Sequence, residues 1–230
     1  MTAVPPAPAD PELRDSPGAG PPPEPRAPDA LVEIKRALRR EFRARRRAIA
    51  PAERTAAAGA AAARLRESGL VKPRARIAVY LPADGEFDPM PIADLARARG
   101  ALVYVPVIAS ARFRRLAFAP LDAPDAAWRR NRHGLDEPGA DPRLWRSPRD
   151  LDLVLVPLVA FDAAGARLGM GGGYYDRAYA YLRHRTAWRR PRLLGLAFDS
   201  QEAAALPADA RDVPLWGVLT GTRLLRASPA

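Results

Sequence analysis

The stretch Gly165 to Arg177 reads G-A-R-L-G-M-G-G-G-Y-Y-D-R and sets four glycines, Gly169, Gly171, Gly172 and Gly173, within five residues. Glycine loses more backbone freedom on folding than any other residue, so a run this dense marks a place where backbone must approach something closely. Just upstream, the apolar run Leu151 to Phe161 reads as a buried strand. From Tyr174 to about Arg185 the pattern reads as a helix. Strand, glycine loop and helix in that order aim backbone N–H groups at phosphate.

The loop fits neither common phosphate-binding class. Counting from Gly169, the sixth position is Tyr174, where the dinucleotide fingerprint needs glycine. No Gly-Lys-Ser/Thr follows, which excludes a Walker A loop. Arg167, just before the glycines, is suited to a bidentate clamp on phosphate. Asp176 falls in the first turn of the following helix, and two readings stand for it. One is favourable interaction with the helix dipole. The other is a ligand for phosphate-bound Mg²⁺, which takes one or two carboxylates plus substrate oxygens.

Outward from this centre the chain alternates. Ala30 to Ile49 reads as a helix with Asp29 as its N-cap and an apolar stripe of Leu31, Ile34, Leu38 and Phe42. Pro51 opens a second, alanine-rich helix that stops near Gly69. Strands are expected at Arg76 to Leu81, Leu102 to Ile108, Arg114 to Phe118, Leu151 to Pro157, Leu193 to Phe198 and Val218 to Thr220. Ile92 to Arg99 and a turn near Gln201 are expected to be helical, and Leu121 to Asp150 irregular. Strands alternating with helices indicate a layered α/β fold with a mainly parallel sheet.

Composition narrows the function. Residues 1–29 hold ten of the 26 prolines and lack apolar periodicity, which reads as a disordered, acidic tail; residues 30–230 are the size of one α/β domain. The tail has no apolar h-region of a signal peptide, and no run in the chain is long enough for a membrane span. The chain has no cysteine and two histidines, His133 and His184, which excludes disulfides, thiolate catalysis and histidine-rich metal sites and suits a cytoplasmic protein. The net charge of +11 points to an anionic partner. Only Lys35 and Lys72 are lysines among 37 basic residues, so a retained lysine suggests a need for a compact point charge.

The run from Asp152 through Arg177, D-L-V-L-V-P-L-V-A-F-D-A-A-G-A-R-L-G-M-G-G-G-Y-Y-D-R, resembles the signature of the 5-formyltetrahydrofolate cyclo-ligase (methenyltetrahydrofolate synthetase) family. Further likeness lies in Ile34 to Arg47, Ile77 to Asp88, Asn131 to Pro138 and Leu194 to Gln201, so that it spans about residues 30 to 222. The resemblance implies a three-layer α/β sandwich, a central mainly parallel sheet flanked by helices, like the NagB/RpiA/CoA-transferase-like fold. It implies ATP-dependent conversion of 5-formyltetrahydrofolate to 5,10-methenyltetrahydrofolate, with Mg²⁺. Such chemistry needs no protein nucleophile, since catalysis is positioning and stabilisation of phosphoryl charge.

Residue by residue, the resemblance assigns ATP contacts to Lys35, Arg39, Arg167, Leu168, Gly169, Met170, Gly171, Gly172, Gly173, Tyr174 and Tyr175. Folate contacts fall on Glu86, Met170, Gly171, Gly172, Gly173 and Tyr174, with Arg167 and Tyr174 nearest the chemistry. Asp176 and Asp212 match metal ligands. Lys35 and Arg39, four apart, share a helix side and are expected near the domain surface, flanking the apolar stripe. Three positions depart from the family pattern: Arg211 before Asp212, Gly221 after Thr220, and His133 in place of an aromatic. The expected partners are 5-formyltetrahydrofolate, with or without a polyglutamate tail, and MgATP; a monomer is expected, and no membrane. Two alternatives remain at this point. An RNA-binding protein using the Lys35–Arg47 face is disfavoured by 7% aromatic content and no recognition motif. The other is a same-fold relative acting on a different phosphorylated or acyl substrate.

Overall fold

The computed structural model of the 230-residue chain describes residues 27–113, 115–123, 128–130, 136–185, 190–207 and 209–227. Residues 1–26 of the expected tail lie outside the described residues, and residues 27–29 already belong to a helix, so Asp29 is inside the helix and does not cap it.

Helices α1 (Ala27–Arg47) and α2 (Pro51–Glu67) come first. Strand β1 (Arg76–Ala78), helix α3 (Met90–Ala98) and strands β2 (Leu102–Ser110) and β3 (Arg115–Pro120) follow. The stretch expected to be irregular contains an antiparallel strand pair, β4 (Trp128–Arg130) and β5 (Asp136–Pro138); residues 131–135, Asn131 and His133 among them, lie outside the described residues. Strand β6 (Leu153–Pro157) leads into a very short hairpin, β7 (Ala160–Phe161) and β8 (Arg167–Leu168). Helix α4 (Tyr174–Ala178) and strands β9 (Arg192–Leu196), β10 (Gly217–Leu219) and β11 (Leu224–Arg226) complete the chain.

One seven-stranded sheet runs β11-β10-β9-β6-β1-β2-β3. The five inner strands pair in parallel, and β11 and β3 close the edges antiparallel. Strand periodicity of two divides the core. Leu153, Leu155, Leu194 and Leu196 pack with Ala58, Ala61 and Leu65 of α2 and Ile92, Ala93 and Ala96 of α3. Val154, Val156 and Leu193 point the other way, against Tyr179, Leu182 and Leu215. A sheet apolar on both faces and covered on both is a three-layer α/β arrangement, which agrees with the sequence reading.

Three local expectations are corrected. The helix read from Tyr174 to Arg185 breaks after Ala178 and continues as a 3₁₀ turn over Ala180–His184. Tyr179 and Leu182, which this segment buries, are three apart, and three residues per turn place them above one another. The glycine loop follows β8, so a hairpin intervenes between it and the central strand. Ile34 is 52% exposed, and the packed face of α1 runs instead through Lys35, Leu38, Arg39, Phe42 and Arg46. That face is part polar because its Arg39 and Arg46 meet loop backbone, while Phe42, with Leu38 beside it, joins Val159, Ala160 and Leu168 in an apolar contact.

Chain direction across the sheet positions the site. From β1 the chain moves to β2 on one side, whereas β6 lies on the other side of β1 and leads on to β9. The reversal leaves a crevice outside the carboxyl ends of β1 and β6, the usual ligand position in open α/β sheets. The loop after β1 carries Glu86, and the connection after β6 carries the glycine run. Among the described residues, no helix is long and apolar enough to cross a membrane.

Candidate active site

The glycine loop is exposed from Met170 to Gly173. Gly171 (φ +95°) and Gly173 (φ +67°) hold backbone conformations that a side chain would strain. A Cβ at Gly172 would lie 3.0 Å from the Tyr174 ring. Gly169 differs: a Cβ there would meet nothing within 4 Å and would project into open space. The fold itself gives no reason for glycine at this position. Leu168, by contrast, is core, its side chain packed in the cluster with Phe42 and its carbonyl accepting from Val159 N at 2.7 Å.

Helix α1 lies across this loop. Arg39 Nε donates to the Gly169 carbonyl at 2.8 Å, and its guanidinium passes 3.5 Å from the position of a Gly171 Cβ. Burial lowers the Arg39 pKa, and the negative charge of Asp212 works against that shift. Lys35 Nζ donates to Asp212 Oδ2 at 3.0 Å, with 15% of its side chain exposed. Both cations therefore sit on the packed side of α1 and not beside it near the domain surface, and they meet partners 130 and 177 residues away in sequence.

Arg167 is enclosed, with 4% of its side chain exposed. Its Nη2 donates to Asp176 Oδ1 at 2.6 Å and its Nη1 to the Val213 carbonyl. Asp176 Oδ1 also accepts from Val213 N at 3.1 Å. Thus Arg167 organises an acid and a strand connection, and Asp176 is held by more than a helix dipole. Asp212 Oδ2 accepts from Lys35 and, at 3.0 Å, from Asp209 N. Among the described residues no group of three or more Asp, Glu, His or Cys could hold a metal ion. Val213, the residue after Asp212, is bonded to Asp176, so the two acids come from neighbouring segments, each already engaged by a cation. Two carboxylates without a third protein ligand would suit only a cation bringing oxygens of its own, as phosphate-bound Mg²⁺ does.

The other end of the crevice is the loop after β1. Glu86 is largely enclosed, with 12% of its side chain exposed, and burial pushes its carboxyl up from the usual carboxylate range. Its Oε2 accepts from Ala83 N at 3.1 Å. Tyr80 donates its hydroxyl to the Phe87 carbonyl at 2.6 Å, behind the same loop. Tyr175 links the two ends: burial raises its hydroxyl pKa, Glu86 raises it further, and Arg167 opposes them. Tyr174 is half-buried beside Gly172, and Met170 is exposed at the rim.

A protein-family model described as the 5-formyltetrahydrofolate cyclo-ligase family matches residues 32–221 of this chain. The chain belongs to that family. It is similar to the 5-formyltetrahydrofolate cyclo-ligase of Escherichia coli K12, at 35% identity over 183 residues that cover 80% of this chain and 98% of the relative. Its fold is similar to that of the 5,10-methenyltetrahydrofolate synthetase of Aquifex aeolicus, with a TM-score of 0.70 and 25% identity, over 86% of this chain and 94% of that one. The synthetase of Mycoplasma pneumoniae shares the fold at a TM-score of 0.60 and 24% identity, over 81% of this chain and 98% of that one.

Two departures of this cyclo-ligase chain from its family pattern have local causes. A Cβ at Gly221 would come within 3.0 Å of the Ala57 Cα, so α2 passes too close for a larger residue. Arg211 lies in solvent, with 87% of its side chain exposed, and its bonds to Asp209 hold that carboxyl well below the usual range. Sequence reading missed the residues that brace the site. Buried Gln201 donates from Nε2 to the Leu158 and Val159 carbonyls and accepts from Phe198 N, tying the ends of β6 and β9 together. Asp162 accepts from Ala166 N and Leu206 N and closes the turn between β7 and β8. A polar residue just past an apolar strand was the only signal for either.

Proposed function

We propose that this chain converts 5-formyltetrahydrofolate and ATP to 5,10-methenyltetrahydrofolate, ADP and phosphate. The observation that carries this reading is the meeting of α1 with the glycine loop, in a chain of the cyclo-ligase family. Arg39 on Gly169 and Lys35 on Asp212 bring together two cations, an open backbone cradle and a carboxylate. The formyl oxygen of a formamide is a poor leaving group. The γ-phosphoryl of ATP is transferred to it, ADP departs, N10 attacks the activated carbon, and phosphate leaves with the former formyl oxygen. Both steps rest on alignment and charge stabilisation.

In this reading Lys35, Arg39 and the backbone of Gly169 to Gly173 hold the ATP phosphates. Leu168 sets the loop by its packing. Met170, Tyr174 and Glu86 contact the folate, and Tyr175 stands between the two substrates. Arg167 acts by holding Asp176. Mg²⁺ would be held by Asp176 and Asp212 together with ATP oxygens and would neutralise phosphate charge. Binding then exchanges existing contacts: Lys35 leaves Asp212 for phosphate. The protein is read as a cytoplasmic monomer whose basic surface favours anionic substrates, a polyglutamate tail included.

The test mixes the purified protein with 5-formyltetrahydrofolate and MgATP and follows the absorbance of the methenyl product. ATP-dependent product supports the assignment. Absence of product with folded protein overturns it.

A further inference from the structure

Among the described residues Arg46 is the largest fully buried side chain, and the reaction above gives it no task. It sits on the packed face of α1, seven residues beyond Arg39. Its Nη2 donates to the Asp84 carbonyl at 2.9 Å and to Asp84 Oδ2 at 3.2 Å. Its Nε and Nη1 are buried and have no hydrogen-bond partner among the described residues. Such orphaned donors on a cation are costly and call for an explanation. Nη1 points towards Glu86, 3.9 Å from Oε1, too far for a hydrogen bond but close enough for strong attraction in an enclosed place.

The surrounding loop is built onto the same helix. Asp84, itself in a left-handed conformation (φ +50°), gathers Arg43, Arg46 and Arg47. Arg54 binds the Arg46 and Arg47 carbonyls at the end of α1 and lies directly against Gly85. Two residues of the β1 loop are thus clamped by arginines, and the next is Glu86.

We propose that Arg46 is the positioning residue of Glu86, fixing the β1 loop through Asp84 and holding the Glu86 carboxylate charged and aimed at the folate. The proposal rests on the reading of Glu86 as a folate contact. Burial alone would favour the protonated acid. The groups facing Glu86 are Arg46 and Arg43 from α1, Asp84 from its own loop, Tyr80 just beyond β1, and Tyr175 of α4. Arg46 supplies the largest opposing charge among them.

The test measures KM for 5-formyltetrahydrofolate and for ATP between pH 6 and 9 in Arg46→Gln, Arg46→Lys, Glu86→Gln and the Arg46→Gln/Glu86→Gln double variant. Arg46→Gln is expected to raise the folate KM about tenfold at pH 6, the loss of one charge-assisted contact, falling back only to the level of Arg46→Lys as pH rises and Glu86 ionises. The ATP KM stays unchanged, and the double variant loses the pH dependence. Arg46→Lys keeps the charge but not the fork, so its folate KM rises and stays flat with pH. If Glu86→Gln leaves the folate KM unchanged, the reading of Glu86 fails. If Glu86→Gln raises it while Arg46→Gln matches wild type across pH, the role of Arg46 is overturned. Should Arg46→Gln not fold, Arg46→Lys decides: a wild-type folate KM overturns the proposal.

Discussion

Replacing Gly169 with alanine should separate stability from activity, and Gly171 supplies the contrast. At Gly171, φ is +95°, so a side chain is strained by about 1–3 kcal/mol. At about 2–4 °C per kcal/mol for a domain of this size, Gly171→Ala should lower Tm by several degrees. Gly169 is not in the left-handed region, and its Cβ would meet nothing within 4 Å. Alanine there restricts the unfolded chain and should stabilise by about 0.4–1 kcal/mol. The same methyl projects into the space beside a loop carbonyl held by Arg39, where ATP phosphate is proposed to lie. Losing one charge-assisted contact corresponds to about a tenfold rise or more in the ATP KM. The assay pairs thermal unfolding with initial rates of methenyl formation at varied ATP. Gly169→Ala should be as stable as wild type or more so, yet poor at using ATP. A stable Gly169→Ala protein with an unchanged ATP KM would refute the placing of a ligand against this backbone.

Other perturbations probe neighbouring contacts. Lys35→Ala should raise the ATP KM more than the folate KM, because Lys35 meets Asp212 and not the Glu86 loop; equal effects on both substrates would remove it from the phosphate end. Arg167→Met leaves Asp176 and the Val213 carbonyl without their enclosed partner, and should lower stability by about 3 kcal/mol in urea unfolding; an unchanged midpoint would contradict that. Burial of Asp84 acts to raise its pKa, but bonds from Arg47 and Arg43 outweigh it and hold the carboxyl below its ordinary value. A lowered carboxyl stabilises above the unfolded value of about 3.9 and loses that stabilisation as pH falls through the folded one. Asp84→Asn should therefore be less stable than wild type at pH 7, with the gap closing towards pH 2 in urea titrations.

The central strands were legible because they are apolar on both faces, and Leu153 to Pro157 needed no tertiary knowledge. The glycine run was legible because its density has few explanations. The hairpin of β7 and β8 was not, since two-residue strands carry no periodicity. The mistaken place of Ile34 has a plain cause. An apolar stripe marks the buried face only where a helix meets an apolar surface, and α1 meets one only at Leu38 and Phe42, with loop carbonyls and acids on either side. Lys35, Arg39 and Arg46 were visible as types but not as one face, because their partners come from distant loops. The resemblance to a family supplied Lys35 and Arg39 for the site, and nothing in the sequence separated Arg46 from the surrounding arginines.

Helix α1 also serves as a length standard. Lys35 and Arg46 are eleven residues apart, and a rise of 1.5 Å per residue fixes their spacing along the axis at about 16 Å. That rod sets the distance between the proposed nucleotide end and the proposed folate end independently of the sheet beneath. One residue inserted between Arg39 and Phe42 would turn everything beyond it by about 100° and swing Arg46 out of the protein. Connections elsewhere on the surface can change length freely, but the interval between these two cations is a fixed count.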